Sequence, residues 1–113
     1  MAKVDIDKIK DEIVERLLPF KPDKILLFGS YAYGKPTDES DIDLFLVKND
    51  IDQKELRNYK LQLQKQLFDL QKKYLIGIDL FVDTTQHIHF RINKIKDQFY
   101  MDILSKGKVL YGK

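Results

Sequence analysis

The chain has 113 residues, of which 20 are basic and 18 acidic, for a formal net charge of +2. The absence of cysteine excludes disulfides and thiolate zinc sites, and the length predicts one domain over residues 1–113 built on one core. No apolar run reaches the roughly 18 residues of a membrane span, and the N-terminus lacks the apolar core of a secretion signal. A cytoplasmic protein with no membrane association is expected.

The charge is unevenly placed. Residues 23–51 carry three basic and six acidic groups, whereas residues 84–113 carry six basic and two acidic groups. Acid is concentrated in one region and base elsewhere, and the small net charge gives no ground for nucleic-acid binding.

In chain order, Ile6, Ile9, Ile13, Leu17 and Phe20 recur every three or four residues and predict an amphipathic first helix closed by Pro22. Ile25 to Phe28 is a short apolar run leading into Gly29-Ser30, as a buried strand entering a turn would be. Lys35 to Ser40 is a polar loop, and Leu44 to Val47 is a second apolar run. Leu56, Tyr59, Leu63, Leu67, Leu70 and Tyr74 mark a long helix, capped near Asp50 or Asp52 and broken by Gly77. Ile78 to Val82 reads as a third strand. Ile88, Ile92, Ile95, Phe99 and Ile103 then trace one last helix ended by Gly107, after which Val109 to Tyr111 forms a short edge strand or covers the core. The order predicts an α/β (α+β) layer sandwich with about three strands in a small mixed sheet.

Asp41-Ile42-Asp43-Leu44 places two carboxylates on one side of a strand, because strand side chains alternate. Such a pair can share divalent metal, and magnesium takes hard oxygen ligands while keeping several waters. An acidic strand start facing solvent is the simpler alternative. Asp79 adds weight, since an acid inside Ile78-Asp79-Leu80-Phe81-Val82 is costly if buried without a partner. The competing reading is plain alternation, with Asp79 and Phe81 on an outer face. Asp83 is a second candidate, but a turn acid at a strand end is ordinary. Gly29, Ser30 and Gly34 follow the first strand, where glycine allows close approach of a phosphate and Ser30 can donate its hydroxyl or amide. A short helix starting at Ser30 would add free N–H groups. Together these residues point to nucleotidyl transfer.

Other candidates are weaker. His87 and His89 would face apart in a helix, which favours surface or capping roles over a metal site. Arg91, Lys94 and Lys96 suit a solvated helix face, and Tyr59, Tyr74, Phe99 and Tyr100 suit core or interface positions.

Phe28-Gly29-Ser30, Gly34, Ser40-Asp41-Ile42-Asp43-Leu44, Asp79 and the ending Ile103 to Tyr111 resemble the DNA polymerase beta-like nucleotidyltransferase superfamily. Within it, the chain is similar to the minimal nucleotidyltransferases of antitoxin type, over nearly its whole length. The resemblance implies transfer of a nucleoside monophosphate from ATP or another nucleoside triphosphate, with pyrophosphate leaving. Asp41, Asp43 and Asp79 would be the catalytic and metal-binding residues for Mg²⁺, two ions in all, with Mn²⁺ as the substitute. Gly29, Ser30 and Gly34 would bind the phosphates, and Asp79 would act as general base. The resemblance also implies an all-helical HEPN-type toxin as partner, modified with AMP on a tyrosine. A partner-binding module without catalysis, and transfer to a small molecule, are the alternatives. An exposed apolar helix face would suit a heteromer or a homo-oligomer. One position departs from the family pattern: many relatives carry Arg where this chain has Tyr33, so positive charge there would come from Lys35 or from a partner.

Overall fold

A computed structural model describes residues 5–112. Helix α1 (Ile6–Leu17) opens on Asp5, whose carboxylate accepts from the Asp7 amide, and runs into a 3-10 turn at Leu18–Phe20. Ile9, Ile13 and Leu17 form its buried stripe, at the spacing that the sequence predicts. Strand β1 (Lys24–Phe28) then leads through Gly29 into a single helical turn, α2 (Ser30–Tyr33). Strand β2 (Ile42–Val47), helix α3 (Gln53–Tyr74) and strand β3 (Ile78–Asp83) follow. Helix α3 stops three residues before Gly77, because Leu75 takes a left-handed conformation (φ 52°) at its C-cap.

The last helical segment is two helices and not one. Helix α4 (Thr85–Asn93) is separated from α5 (Gln98–Lys106) by a turn in which Lys96 has φ 59°. The break is closed by Asp97, which caps α5 through the Phe99 amide and accepts from the Arg91 guanidinium. A local side-chain cap thus overrides the apolar periodicity that predicted one helix. Arg91 is tied into this turn, away from the solvated face expected of it. Strand β4 (Lys108–Tyr111) completes the chain.

The sheet has four strands, not three, in the order β3-β2-β1-β4. Strand β4 takes the outer edge beside β1, antiparallel to it; β1 and β2 are antiparallel, and β2 and β3 are parallel. Helices cover both faces. Against α1 and α3 lie Ile42, Leu44 and Leu46 of β2 with Ile25 and Leu27 of β1. The opposite face carries Leu26, Phe28, Phe45 and Val47, packed on Ile88 of α4 and Ile103 of α5. Strand alternation therefore sends Asp43 to the second face, in line with Phe45 and Val47. Among the described residues no helix is long and apolar enough to cross a membrane.

Candidate active site

The site lies where β1 ends and β2 and β3 begin. Three residues form one row across the sheet there: Phe28 opposes Asp43, and Asp43 opposes Asp79. Asp43 and Asp79 face each other across the parallel pair, and a hydrogen bond between their carboxyls is among the causes that raise the Asp43 pKa. Burial, then the charges of Asp79 and Asp41, and finally that hydrogen bond push the Asp43 carboxyl up to about 6. Among the described residues no ion pair joins a cation to Asp41, Asp43 or Asp79, so this corner gathers like charge.

Asp79 is exposed. The burial cost expected from its apolar run does not arise, because β3 is an edge strand and Asp79 and Phe81 occupy its outward positions. Alternation, the competing reading, describes its environment, yet the parallel register also sets Asp79 beside Asp43. Asp41 stands one residue before β2, not within it, and is exposed. It is fixed by the Ile42 amide bonding to the Gly77 carbonyl at 2.9 Å.

Two glycines make room for the acids. Gly29 has φ 76°, and a Cβ there would lie 2.2 Å from Asp43 Oδ2, so both its conformation and its position exclude a side chain. At Gly77, read from the sequence only as a helix breaker, a Cβ would lie 2.5 Å from Asp41 Oδ1. The signal was its place directly before the strand that carries Asp79. Gly34 closes α2, its amide bonding to the Ser30 carbonyl at 3.1 Å, and a Cβ there would meet Ser30 Cα at 2.9 Å. Gly29, Ser30 and Gly34 therefore form one tight turn at the edge of the acid row.

The donor set suits a hard divalent ion, being carboxylate oxygen throughout. Among the described residues no three acid or imidazole groups already converge on one point. Asp43 and Asp79 meet, whereas Asp41 rests against Gly77.

Behind the acid row, the rings of Phe28, Phe81 and Phe99 pack mutually, with centroids 5.5–5.6 Å apart. They separate the site from a second acid. Asp83, at the far end of β3, is buried and accepts from the Thr84 amide and from Tyr100 Oη at 2.6 Å, with His87 Nδ1 also at 2.6 Å. Burial and the Asp83 hydrogen bond raise the Tyr100 hydroxyl pKa. Asp83 thus joins β3 to α4 and α5, and His87 serves that network while His89 stays exposed.

A family model described as "Polymerase beta, Nucleotidyltransferase" matches residues 7–113. A protein of Methanocaldococcus jannaschii, named as a candidate protein adenylyltransferase, is 38% identical over 88 residues, spanning 78% of this chain and 77% of that one. A solved structure described as a toxin–antitoxin with AMP-PNP is similar at TM-score 0.56 and 23% identity, covering 92% of this chain and 73% of that one. Another, a mutant of the toxin–antitoxin MntA-HpeT, is similar at TM-score 0.54 and 21% identity, covering 97% of this chain and 75% of that one. These last two likenesses are of fold. The family match spans almost the whole chain and includes the acid row, its two flanking glycines and the Gly29–Gly34 turn: this chain belongs to the polymerase beta nucleotidyltransferase family.

Proposed function

We propose that the chain transfers AMP from ATP to a hydroxyl group of a partner protein, with Asp41, Asp43 and Asp79 as the metal-binding acids. The observation that carries this reading is the Asp43–Asp79 pair, two carboxylates set side by side by parallel strand register and held there against Gly29. These acids would hold a divalent ion, Mg²⁺ or Mn²⁺, which would supply charge neutralisation at the reacting phosphate. The name of the M. jannaschii relative supports AMP as the group and protein as the acceptor.

The chain's own residues would then act as follows. Gly29, Ser30 and Gly34 hold the β- and γ-phosphates, with Ser30 donating its hydroxyl. Asp43, half-buried at the start of β2, would help hold the divalent ion that offsets the charge of the α-phosphate. The acceptor oxygen forms a bond to the α-phosphorus as the bond to pyrophosphate breaks. Asp79, open to solvent on its edge strand, accepts the acceptor's proton on its carboxylate. Positioning and electrostatics carry most of the rate in such transfers.

The acceptor's direction of approach is the exposed side of β3. Helix α3 packs on the other face of the sheet, beside β3, and presents Leu61, Phe68 and Leu75, exposed by 47%, 57% and 70%. They support a protein partner, which we take to be a HEPN-type toxin neutralised by AMP on a tyrosine, with this chain as the antitoxin. The descriptions of the structural neighbours as toxin–antitoxin support this by analogy of fold.

Labelled ATP and Mg²⁺ are incubated with the chain and the protein encoded beside it, with an Asp41→Asn/Asp43→Asn variant in parallel. Label on the partner that vanishes with the variant is expected. Tight partner binding without label from any nucleoside triphosphate would refute the catalytic reading and leave a binding module.

A further inference from the structure

We infer that Lys106 supplies the cation that binds the outgoing β- and γ-phosphates, a role that rests on the nucleotidyl-transfer reading above. A triphosphate brings more negative charge to a corner that already holds three carboxylates. Helix α2 has only four residues, too few to contribute an appreciable dipole. A basic side chain beside the Gly29–Gly34 turn would offset the charge left on the β- and γ-phosphates, and α2 itself carries none.

The fold places Lys106 there. Tyr31 and Ala32 are buried, so α2 turns Ser30 and Tyr33 outward, three residues apart and on the same side. The Lys106 ammonium stands 5.9 Å from the centroid of the Tyr33 ring. Its backbone is anchored beside the same turn. A Cβ on Gly107 would lie 3.2 Å from the Leu27 carbonyl oxygen, and Lys108 is the register partner of Leu27, two residues before Gly29. The last turn of α5 is thereby held against the end of β1.

Lys106 is also loosely committed elsewhere. Its ion pair with Asp102 spans 3.9 Å, and 58% of the lysine side chain is exposed. An exposed pair of that length is weak, whereas a phosphate oxygen offers a short charge-assisted bond. The Tyr33 ring gives the ammonium a resting place by cation–π attraction, from which its flexible stem swings toward Ser30. Lys60 lies 5.6 Å from the centroid of the Phe81 ring on β3, away from this turn. Lys106 is the lysine that stands against Tyr33 of the turn itself.

Calorimetric titration with Mg²⁺ and AMP-PNP, and separately with AMP, tests the assignment. Lys106→Met keeps the apolar stem and removes the charge. It is expected to weaken AMP-PNP binding roughly tenfold to a hundredfold, the range of a lost charge-assisted bond, while AMP affinity and melting temperature stay unchanged. Lys106→Arg is expected to stay within about threefold of the wild type, both side chains being cations. Adding Tyr33→Arg to Lys106→Met is expected to restore AMP-PNP affinity by returning a cation to the outer side of α2. Unchanged AMP-PNP binding by Lys106→Met overturns the assignment, as does an equal loss for AMP, which would mark a structural role. A loss confined to Lys35→Ala would give the role to Lys35 instead. If the wild-type chain binds neither nucleotide, the nucleotidyl-transfer reading falls first and this inference with it.

Discussion

Asp43→Asn should make the metal-free protein more stable at neutral pH. The Asp43 carboxyl is raised from 3.8 to about 6 by burial and by the neighbouring Asp79 and Asp41 charges. The folded chain therefore holds this proton more tightly than the unfolded chain does. Its stabilising effect is complete below pH 3.8 and is lost as pH rises through about 6. At pH 7.5 the folded state keeps a carboxylate that it would rather protonate. A shift of this size corresponds to at most ~3 kcal/mol, and partial exposure of Asp43 screens it to ~1–2 kcal/mol. Asparagine removes the charge while its amide still donates to Asp79. Thermal melts in EDTA at pH 7.5 should rise by about 4–8 °C in the variant, and the gain should shrink toward zero at pH 4.5. Mg²⁺ should stabilise the wild type and leave the variant almost unmoved. A variant less stable than the wild type at pH 7.5, or a gain equal at both pH values, would refute the electrostatic reasoning.

Gly29→Ala forces a side chain into a left-handed position and toward Asp43 Oδ2; a loss of about 1–3 kcal/mol by urea melt is expected. Gly77→Ala meets only the exposed Asp41 carboxylate, which can rotate away. Its stability should change by less than ~1 kcal/mol, while AMP transfer falls at least about tenfold because Asp41 is displaced. Tyr100→Phe leaves buried Asp83 one donor short, with an expected loss of about 1–2 kcal/mol by thermal or urea melt.

The strands and the long helix were legible because their apolar spacing is set by burial on one face, as at Leu63, Leu67 and Leu70. Ser30 to Tyr33 and the short strand ending at Tyr111 were visible as conditional readings, since both depend on neighbours in space. The break between α4 and α5 was hidden: Ile92, Ile95 and Phe99 continue a helical spacing, and only the Asp97 cap with its Arg91 partner interrupts it. Asp41, Asp43 and Asp79 were singled out by type and spacing and the fold places them at one corner of the sheet, but the burial argued for Asp79 does not arise. Edge position is a property of strand order, which no local pattern encodes. Asp83 was underrated for the same reason, because its burial comes from Tyr100 and His87 folding over it. Gly77 needed the knowledge that Asp41 would lie against it.

Asp41 differs from its two companions in how it is held. Asp43 and Asp79 belong to paired strands, and moving either means distorting the sheet. Asp41 follows the segment 34–40, in which the Thr37 amide donates to Ser40 Oγ at 2.8 Å. If Asp41 serves as the proposed metal ligand, substitutions in that segment would change how tightly a metal is gripped without loosening the hydrophobic layers beneath. On that reading affinity and durability are separable traits in this protein: one is written in a stretch of seven loop residues, the other in the strands. A lineage can dim or sharpen the activity through that stretch while the scaffold stays as it is.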